Sequence, residues 1–590
     1  MYEAVVGIDF GSAGSGFAYS LREKDNDNNL LDKWGSIIHG TIYGANVDNK
    51  VPTEIILDDN NYTVQFGEEC IRYLNQKGLK TGHYFKHIKM QLYDNQTYIK
   101  AQNSGRELPL KLIIQRILEK LKELAIDEIS KSRTYLKEQK EKIKWVVTVP
   151  AIWKENQKSV MMEASINAGL ISEDSDKSLF FSLEPEAASL YCSINKEIDR
   201  SYFKQGEYYI VCDLGGGTGD IVAHLVGSNN YLNEIHPSCG GKYGSNEIDR
   251  LIFEEIIFGL FGCKDFDTFY SKYKRYNNEE SDDAGKLFYD WSELEREIKD
   301  FKEGANNKKV EQKDNYPINC SIFQDIFDTD TDLNDLVNEY NDNIYDDELY
   351  LSVKKSKRNW IIEFPYKIIY NYINNQANSI CEIINDITSQ EEIKTLFFVG
   401  GYCYNEILIK LIKKGLNKIS HFLQPSRPCL SIMEGAVLFG INPSTINIRK
   451  AKYTIGKDVR DFWDEEKHSK KGKKVFSEDA NKWLCEDCFD KFIEINQNLK
   501  YEETITRSCF MAGPRYCTIH FYKTNKPNPT FIFEEGMIHI GKCKLDVGKE
   551  YNNYSDREVQ VTMKFGGTFI DASAIHLKSG TLAKTKLIYD

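Results

Sequence analysis

The chain has 590 residues, of which 41% are hydrophobic and 28% charged, and its formal net charge is −13. That balance describes a folded chain long enough to bury several separate cores, and its acidity excludes general affinity for nucleic acid, which needs a basic stripe against the phosphates. No apolar run approaches the ~20 residues that cross a bilayer, and MYEAVVGIDF runs straight into a strand without a basic and apolar leader, so a cytoplasmic chain with no membrane insertion is expected.

In chain order, AVVGIDF and GFAYS read as two strands around the loop GSAGS. Leu112, Ile113, Ile117, Leu118, Leu121, Leu124 and Ala125 then repeat at three and four, the spacing of one buried helix face. Trp145–Val149 is a short β-branched run closed by Pro150, which predicts a buried strand. A helix is expected from about Lys154 to Ala168, stopped by Gly169. The strand–loop–strand pattern returns at Tyr208–Cys212, DLGGGTGD and Ile221–Val226. A polar, acidic stretch at about 277–351 reads as a solvated surface insertion with some helix. A helix from about Trp360 to Ile387 follows, then the buried strand Thr395–Val399, a Gly-Gly turn and a helix from about Asn405. Strands alternating with helices predict an α/β class. Beyond Pro443 come short alternating runs, among them TIHFYK, IHIGKCKL and VQVTMKF, parted by Gly, Asn and Pro turns, which predict an all-β domain, a sandwich.

Fourteen cysteines are scattered without regular spacing; Cys192, Cys212 and Cys381 lie in apolar surroundings, as reduced buried thiols do. Cys485 and Cys488 form the only close pair, in WLCEDCF. A structural zinc site calls for a second pair or for histidines at short spacing, and Cys509 and Cys517 supply neither. The pair is therefore read as a coincidence within a helix.

Two segments carry chemistry. Asp9-Phe-Gly-Ser-Ala-Gly-Ser15 and Asp213-Leu-Gly-Gly-Gly-Thr-Gly-Asp220 each place an aspartate at the end of an apolar strand, followed by small residues. Glycines let the backbone come close to a phosphate, and successive N–H groups make a concave anion site. Neither segment is a Walker loop, which needs Gly-Lys-Ser/Thr, and neither is a dinucleotide fingerprint, which needs a helix after the glycines. Read alone, DFGSAGS is equally a tight hairpin. Three successive glycines between apolar strands weaken a sheet unless something must come close. Asp213 and Asp220 flank the second loop and suit a hydrated magnesium ion. FFVGGYCYNEI, with Gly400-Gly401 between a strand and a helix, and SLEPEAASLY, with Glu184 at a helix start, are weaker signals when taken singly.

In this order, the first loop, TVPA, EPEAA, the second loop and VGG resemble the signature of the actin, sugar-kinase and heat-shock-protein 70 ATPase superfamily. WVVTVPAIWKENQKSVMMEASINAGL and GGKYGSNEIDRLIF resemble the heat-shock branch, and PAIW, EPEAAS, EGAVLFG and KMQL are most similar to its divergent heat shock 70 kDa protein 12 subfamily. VQVTMKFGGTFIDASAIHLKSGTLAKTKLIYD resembles the last strands of the family's β-sandwich peptide-binding domain.

The resemblance implies an α/β two-lobed actin-like ATPase with duplicated ribonuclease-H-like halves, followed by a smaller β-sandwich. It implies a first lobe over residues 1–200, a second over 201–395 with the acidic insertion, a closing segment at 396–445, and a β-rich peptide-binding domain without a helical lid at 446–590. The implied cofactors are ATP or ADP with Mg2+. Asp9 and Asp213 match the aspartates that hold the hydrated metal. Gly11, Ser12, Ala13, Gly14 and Ser15, with Gly215, Gly216, Gly217 and Thr218, match the phosphate cradles. Glu184 and Asp220 match the acids that orient water, Thr218 a hydroxyl beside the γ-phosphate, and Lys89 the lysine that meets it, with Lys86 as its rival. Gly244, Gly400, Gly401 and Tyr402 match nucleoside-contacting turns, and Glu295 and Lys299 match the helix that clasps adenine. Three departures stand out: Ala13 and Gly14 replace a hydroxyl and a bulkier residue, which implies slow hydrolysis; INPSTINIRKAKYT lacks the acidic, leucine-rich interdomain linker; and no helical lid follows the sandwich. The expected function is an ATP-dependent chaperone with extended polypeptide clients, co-chaperones being left open. The alternatives are a nucleotide-gated scaffold with little turnover, a small-metabolite kinase of the same superfamily and, least favoured, an actin-like filament protein.

Overall fold

The computed structural model describes residues 2–25, 29–45, 49–171, 178–269, 271, 283–319, 332–356 and 359–586. The strand Ala4–Asp9 is buried over its whole length, as an uninterrupted apolar run in a doubly covered sheet must be. It pairs parallel with Ile143–Val149 on one side and antiparallel with Gly14–Lys24 on the other. Leu179–Leu183 extends the parallel side and Leu30–Trp34 the antiparallel side. A second mixed sheet follows the same path. Tyr208–Leu214 pairs parallel with Thr395–Val399, which pairs parallel with His421–Leu423. On its other side lie Gly219–Val226 and then Leu232–Gly241, both antiparallel. In both sheets, therefore, the strand that carries an aspartate at or next to its end, Asp9 or Asp213, is central, and a short glycine-rich hairpin returns the chain beside it.

Each sheet has its own core. The first includes Ile8, Phe10, Trp145 and Val147 with Ile113, Ile117 and Leu121 of the helix Leu110–Ser132. The second includes Ile210, Cys212, Phe398 and the helix Tyr366–Gln390. A third cluster joins them, with Val5 and Val146 from one sheet, Val211 and Phe397 from the other, and Ala187 and Met433 from helices between. Those helices are Glu184–Ile194 and Ser431–Ile441. At their crossing a Cβ on Gly435 would lie 1.8 Å from the Ala187 carbonyl oxygen, so only glycine lets the backbones meet. EPEAAS and EGAVLFG are thus the two sides of one contact.

The structure corrects three readings. Trp360 belongs to the strand Asn359–Pro365, and the helix begins at Tyr366, after Pro365, because proline favours a helix start over its interior. The acidic stretch, of which residues 277–282 and 320–331 fall outside the described part, is more than a solvated insertion. Leu287, Leu294, Ile298 and Phe301 of the helix Asp283–Glu303, and Leu333 and Val337 of Leu333–Asn341, enter the second core. Cys485 and Cys488 lie in the strand Lys482–Ile493, not in a helix.

The β-rich C-terminal region has a five-stranded sheet and a four-stranded sheet. Ile455, Phe521 and Ile540 from one and Val559, Val561, Met563 and Ala574 from the other share a core, and Glu558–Lys564 alternates buried and half-buried residues as a one-sided strand does. This region is bound to the rest at several points. Ile446–Lys450 joins the second sheet parallel to Leu232–Gly241, and Asn498–Lys500 pairs with it in turn. The buried Arg449 guanidinium donates to Glu186 through Nε (2.6 Å) and Nη2 (2.7 Å), and through Nη1 to the Gly566 carbonyl. Thr568 Oγ1 donates to the Phe181 carbonyl at 2.6 Å, and the Phe569 ring meets Phe181 edge-on. Direct docking stands where the sequence lacks the leucine-rich linker.

Candidate functional site

The strands that carry Asp9 and Asp213 bring their hairpins face to face. A Cβ on Gly216 would lie 2.8 Å from Ala13 Cβ, and one on Gly217 2.3 Å from Ser12 Oγ, so the loops touch with no room for side chains. Beside them a cleft of about 360 Å³ is lined by Asp9, Gly11–Gly14, Lys50, Lys89, Glu184, Asp213, Gly215–Thr218, Lys299, Gly400 and Gly401, among others. That size suits a small-molecule ligand.

Four buried carboxylates converge here, Asp9, Glu184, Asp213 and Asp220, with the ammonium groups of Lys50 and Lys89. Lys50 Nζ donates to Asp9 Oδ2 at 2.6 Å, and buried Lys89 pairs with Glu184 while lying 5.8 Å over the Trp153 ring. Asp220 Oδ1 accepts from the Ala151 and Ile152 amides at 2.7 and 3.1 Å. The sharp turn after Pro150 thus aims two N–H groups at one carboxylate. Burial, then the charges of Glu184, Asp220 and Asp9, push the Asp213 carboxyl well above the usual carboxylate range, against Lys50. Burial also raises Glu184 and Asp220; Lys89 opposes both shifts. Burial works against the Lys50 ammonium, but Asp9 outweighs it and raises the Lys50 pKa. The cluster carries more acids than bases, and Asp213 Oδ1 has no hydrogen-bond partner among the described residues. An all-carboxylate oxygen set with an unsatisfied buried member fits a hard divalent cation such as magnesium.

The remaining residues singled out from the sequence divide. Gly400 has φ of 85°, and a Cβ there would lie 2.4 Å from the Leu214 carbonyl and 2.6 Å from Asp213 Oδ1, so no side chain fits. Ser15 does not line the cleft; it is buried in the hairpin, its hydroxyl 2.8 Å from that of Thr53, which in turn donates to the Gly11 carbonyl. Gly244 lies behind the second loop, against the Gly216 and Gly217 backbone. The Asn246 amide donates to the Gly216 carbonyl at 2.7 Å, and Gln376 Nε2 to the Gly244 carbonyl at 3.2 Å. Tyr402 is buried, and its hydroxyl donates to Gln376 at 3.0 Å. These groups hold the loop; they do not reach the cavity. On the helix Asp283–Glu303, Lys299 faces the cleft, whereas Glu295 pairs with Lys86 and accepts from Trp291 Nε1 at 3.1 Å. Of the two rival lysines, then, Lys89 lies in the cleft and Lys86 bridges to Glu295.

Sequence reasoning passed over Lys50 and Gln376. Lys50 precedes the two-residue strand Val51–Pro52, which pairs with Gly14 and Ser15; nothing in the pattern NKVPTEI marks it as a partner for Asp9. Gln376 sits within a long helix whose apolar periodicity accounts for its neighbours.

A family model described as Hsp70 protein matches residues 76–265. The chain is 27% identical to heat shock 70 kDa protein 12A of Homo sapiens across 98% of its own length and 90% of that protein's. It is 24% identical to heat shock 70 kDa protein 12B of Homo sapiens across 99% of this chain and 91% of that protein. It is also 28% identical to the chaperone protein HscA homolog of Rickettsia rickettsii (strain Sheila Smith), over 45% of this chain and 38% of that one. No helix among the described residues is long and apolar enough to cross a membrane. Beside the paired glycine loops and the acidic cleft stands a likeness to Hsp70 proteins over residues 76–265 and, across nearly the whole chain, to the heat shock 70 kDa protein 12 relatives.

Proposed function

We propose that the chain binds ATP in the cleft between the two glycine loops, hydrolyses it slowly, and uses the nucleotide state to govern polypeptide binding by its C-terminal β-region. The observation that carries this reading is the convergence of four buried carboxylates and two lysines between loops whose backbone amides are free of bulky side chains. Magnesium held through Asp9 and Asp213 by way of its water shell would offset phosphate charge. The amides of Gly11–Gly14 and Gly215–Thr218 would cradle the phosphates. Lys89 would meet the γ-phosphate, exchanging Glu184 for it, and the carboxylate so released, together with Asp220, would orient the attacking water. Asp220 suits that task because two amides already hold its Oδ1. Lys299 at the rim would lie along the base. The matching strand orders of the two sheets support duplicated halves that close on the ligand.

A second reading, a nucleotide-gated scaffold with little turnover, is favoured by two observations. Ala13 offers no hydroxyl in the first loop, and Lys50 competes for Asp9 Oδ2. Phosphate release by the purified protein, with and without an unfolded peptide, decides between them. Peptide-stimulated release abolished by Asp213→Asn supports the chaperone. Tight ATP binding without release supports the scaffold. Absence of ATP binding sinks both.

A further inference from the structure

A second cluster lies far along the chain from the cleft. Residues three apart in a regular strand point to opposite faces of the sheet, yet both thiols of Cys485-Glu486-Asp487-Cys488 turn inward, and the two residues are buried. The strand is bulged to achieve this. Val459 pairs with Cys488 and Asp461 with Cys485, so Glu486 and Asp487 together oppose the single residue Arg460. Asp487 adopts φ of 59°, a left-handed backbone that aspartate tolerates better than most residues and that marks the bulge. The short helix Glu465–His468 then delivers a fully buried histidine to the same spot. His468 Nε2 lies 3.8 Å from Cys488 Sγ, and the ligand atoms of His468, Cys485 and Cys488 all fall within 4.8 Å of one another. Asp461 Oδ2 is 3.9 Å from the same nitrogen, at the edge of the cluster and outside the set whose ligand atoms all fall within 4.8 Å of one another, so it would swing inward to complete a site. In a tetrahedral zinc site with bonds of about 2.3 Å to sulfur and 2.0 Å to nitrogen, a sulfur–nitrogen edge is about 3.6 Å. The observed spacing is within a few tenths of an ångström of that.

We propose that His468, Cys485 and Cys488 bind a structural zinc ion, with Asp461 as the fourth ligand. Two soft thiolates, an imidazole and one carboxylate select zinc over the harder magnesium of the nucleotide cleft. Loading releases two thiol protons. The Asp464 amide, 3.0 Å from His468 Nδ1, leaves the ring proton on Nε2; coordination moves that proton to Nδ1, so the turn at Asp464 must shift as the ion enters. Lys467, 2.8 Å from Asp461 Oδ2, orients that carboxylate from outside the ligand set. The site has a structural purpose. Cys485, Cys488 and Phe531 form a small apolar cluster apart from the region's main core, too small to pin a helix and a bulged strand together unaided.

The experiment uses the full chain, purified under reducing conditions and dialysed after exposure to zinc or cobalt(II) chloride. Elemental analysis should find about one zinc per chain, and the cobalt form should show the intense visible bands of tetrahedral coordination with thiolate charge transfer. His468→Ala, Cys485→Ser and Cys488→Ser should each weaken zinc at least tenfold, whereas Cys509→Ser leaves it unchanged. Retained ATP binding by each variant shows that the rest of the chain is folded. As a second reading, amide exchange in 461–489 should slow on zinc addition in the wild type alone. Zinc content no higher than that of the Cys485→Ser variant, a weak octahedral cobalt spectrum, or a mass two daltons low from a Cys485–Cys488 disulfide overturns the proposal.

Discussion

Arg449 and Glu186 offer the sharpest test of how the C-terminal region is attached. Both side chains are almost completely buried, and the guanidinium spans three acceptors: both Glu186 oxygens and the Gly566 carbonyl. Arg449→Met keeps most of the volume and leaves the Glu186 carboxylate buried without its partner. Breaking a buried ion pair from one side costs about 3–5 kcal/mol, whereas replacing both partners with apolar groups is often close to neutral. At about 1.4 kcal/mol per tenfold, the single substitution should raise the local opening equilibrium by roughly two to three and a half orders of magnitude. Amide exchange in Ile446–Lys450, in Asn498–Lys500 and around Gly566 reads that opening directly, without assuming that so long a chain unfolds in one step. The double variant Arg449→Met/Glu186→Leu should restore most of the lost protection. A single variant that changes exchange less than tenfold, or a double variant as labile as the single, would refute the view that this pair bolts the β-region to the helix Glu184–Ile194.

Gly400→Ala must place a methyl against the Leu214 carbonyl and Asp213 Oδ1 at a φ of 85°; a loss of about 1–3 kcal/mol in stability and loss of ATP binding by calorimetry are expected, with stability read from urea unfolding. Lys50→Met frees Asp9 Oδ2 from a charge-assisted hydrogen bond, and the magnesium concentration needed for half-maximal ATP binding should fall about tenfold; an unchanged requirement means Lys50 does not compete. His224 is held down at about 4 by burial, with Glu186 opposing and Arg449 adding to the shift. Because its folded value lies below the ordinary 6.5, the neutral ring's contribution is complete above pH ~6.5 and is lost as pH falls towards ~4, about 2 kcal/mol by pH 5. His224→Phe, which leaves the Ser189–Tyr209 hydroxyl pair intact, should lose less stability than wild type between pH 7 and pH 5; equal urea midpoint shifts would refute this.

The parts of the molecule that were legible in the sequence are those where one local rule suffices. AVVGID and TLFFV read as strands from their short apolar runs, and VQVTMKF reads as a strand from its alternation; the structure has all three as strands. The loop glycines were legible because three in succession have no use in a plain hairpin. What escaped notice depends on distant encounters. Asp9 meets Lys50 because a two-residue strand folds beside the first loop. Lys89 was preferred to its rival Lys86 by resemblance alone, and what each meets became visible only in the fold, where one pairs with Glu184 and the other with Glu295. Glu295 and Lys299 share a helix face by spacing, yet only Lys299 lines the cleft. The Cys485–Cys488 pair was misread because a bulge, which periodicity does not reveal, let a strand imitate the one-sided spacing of a helix, and because its histidine lies in the polar run EEKHSKKGKK, which reads as surface.

The segment after Pro150 lies between an acid of the site and the chain that leads into the C-terminal region. The Ala151 amide donates to Asp220 at 2.7 Å, and the Ala151 carbonyl accepts from Lys452 Nζ at 2.9 Å. One residue therefore faces an acid of the site on one side and a lysine of the chain leading into the β-region on the other. The attachments also divide between the two large sheets. Arg449, Lys452 and Thr568 hold Glu186, Ala151 and Phe181, which lie in or directly after strands of the first, while the Lys450 amide donates to Glu234 of the second at 2.7 Å. A body fixed to one sheet alone would keep its bonds through any change in the angle between the sheets. A body fixed to both would have to break or re-form some of them, so its attachment energy would depend on that angle. By reciprocity, a ligand that strengthens one arrangement of the β-region favours one arrangement of the cleft. The missing leucine-rich linker therefore does not by itself argue for independent domains: docked side chains join the β-region to segments of both sheets, and the peptide of Ala151 lies between one of them and Asp220.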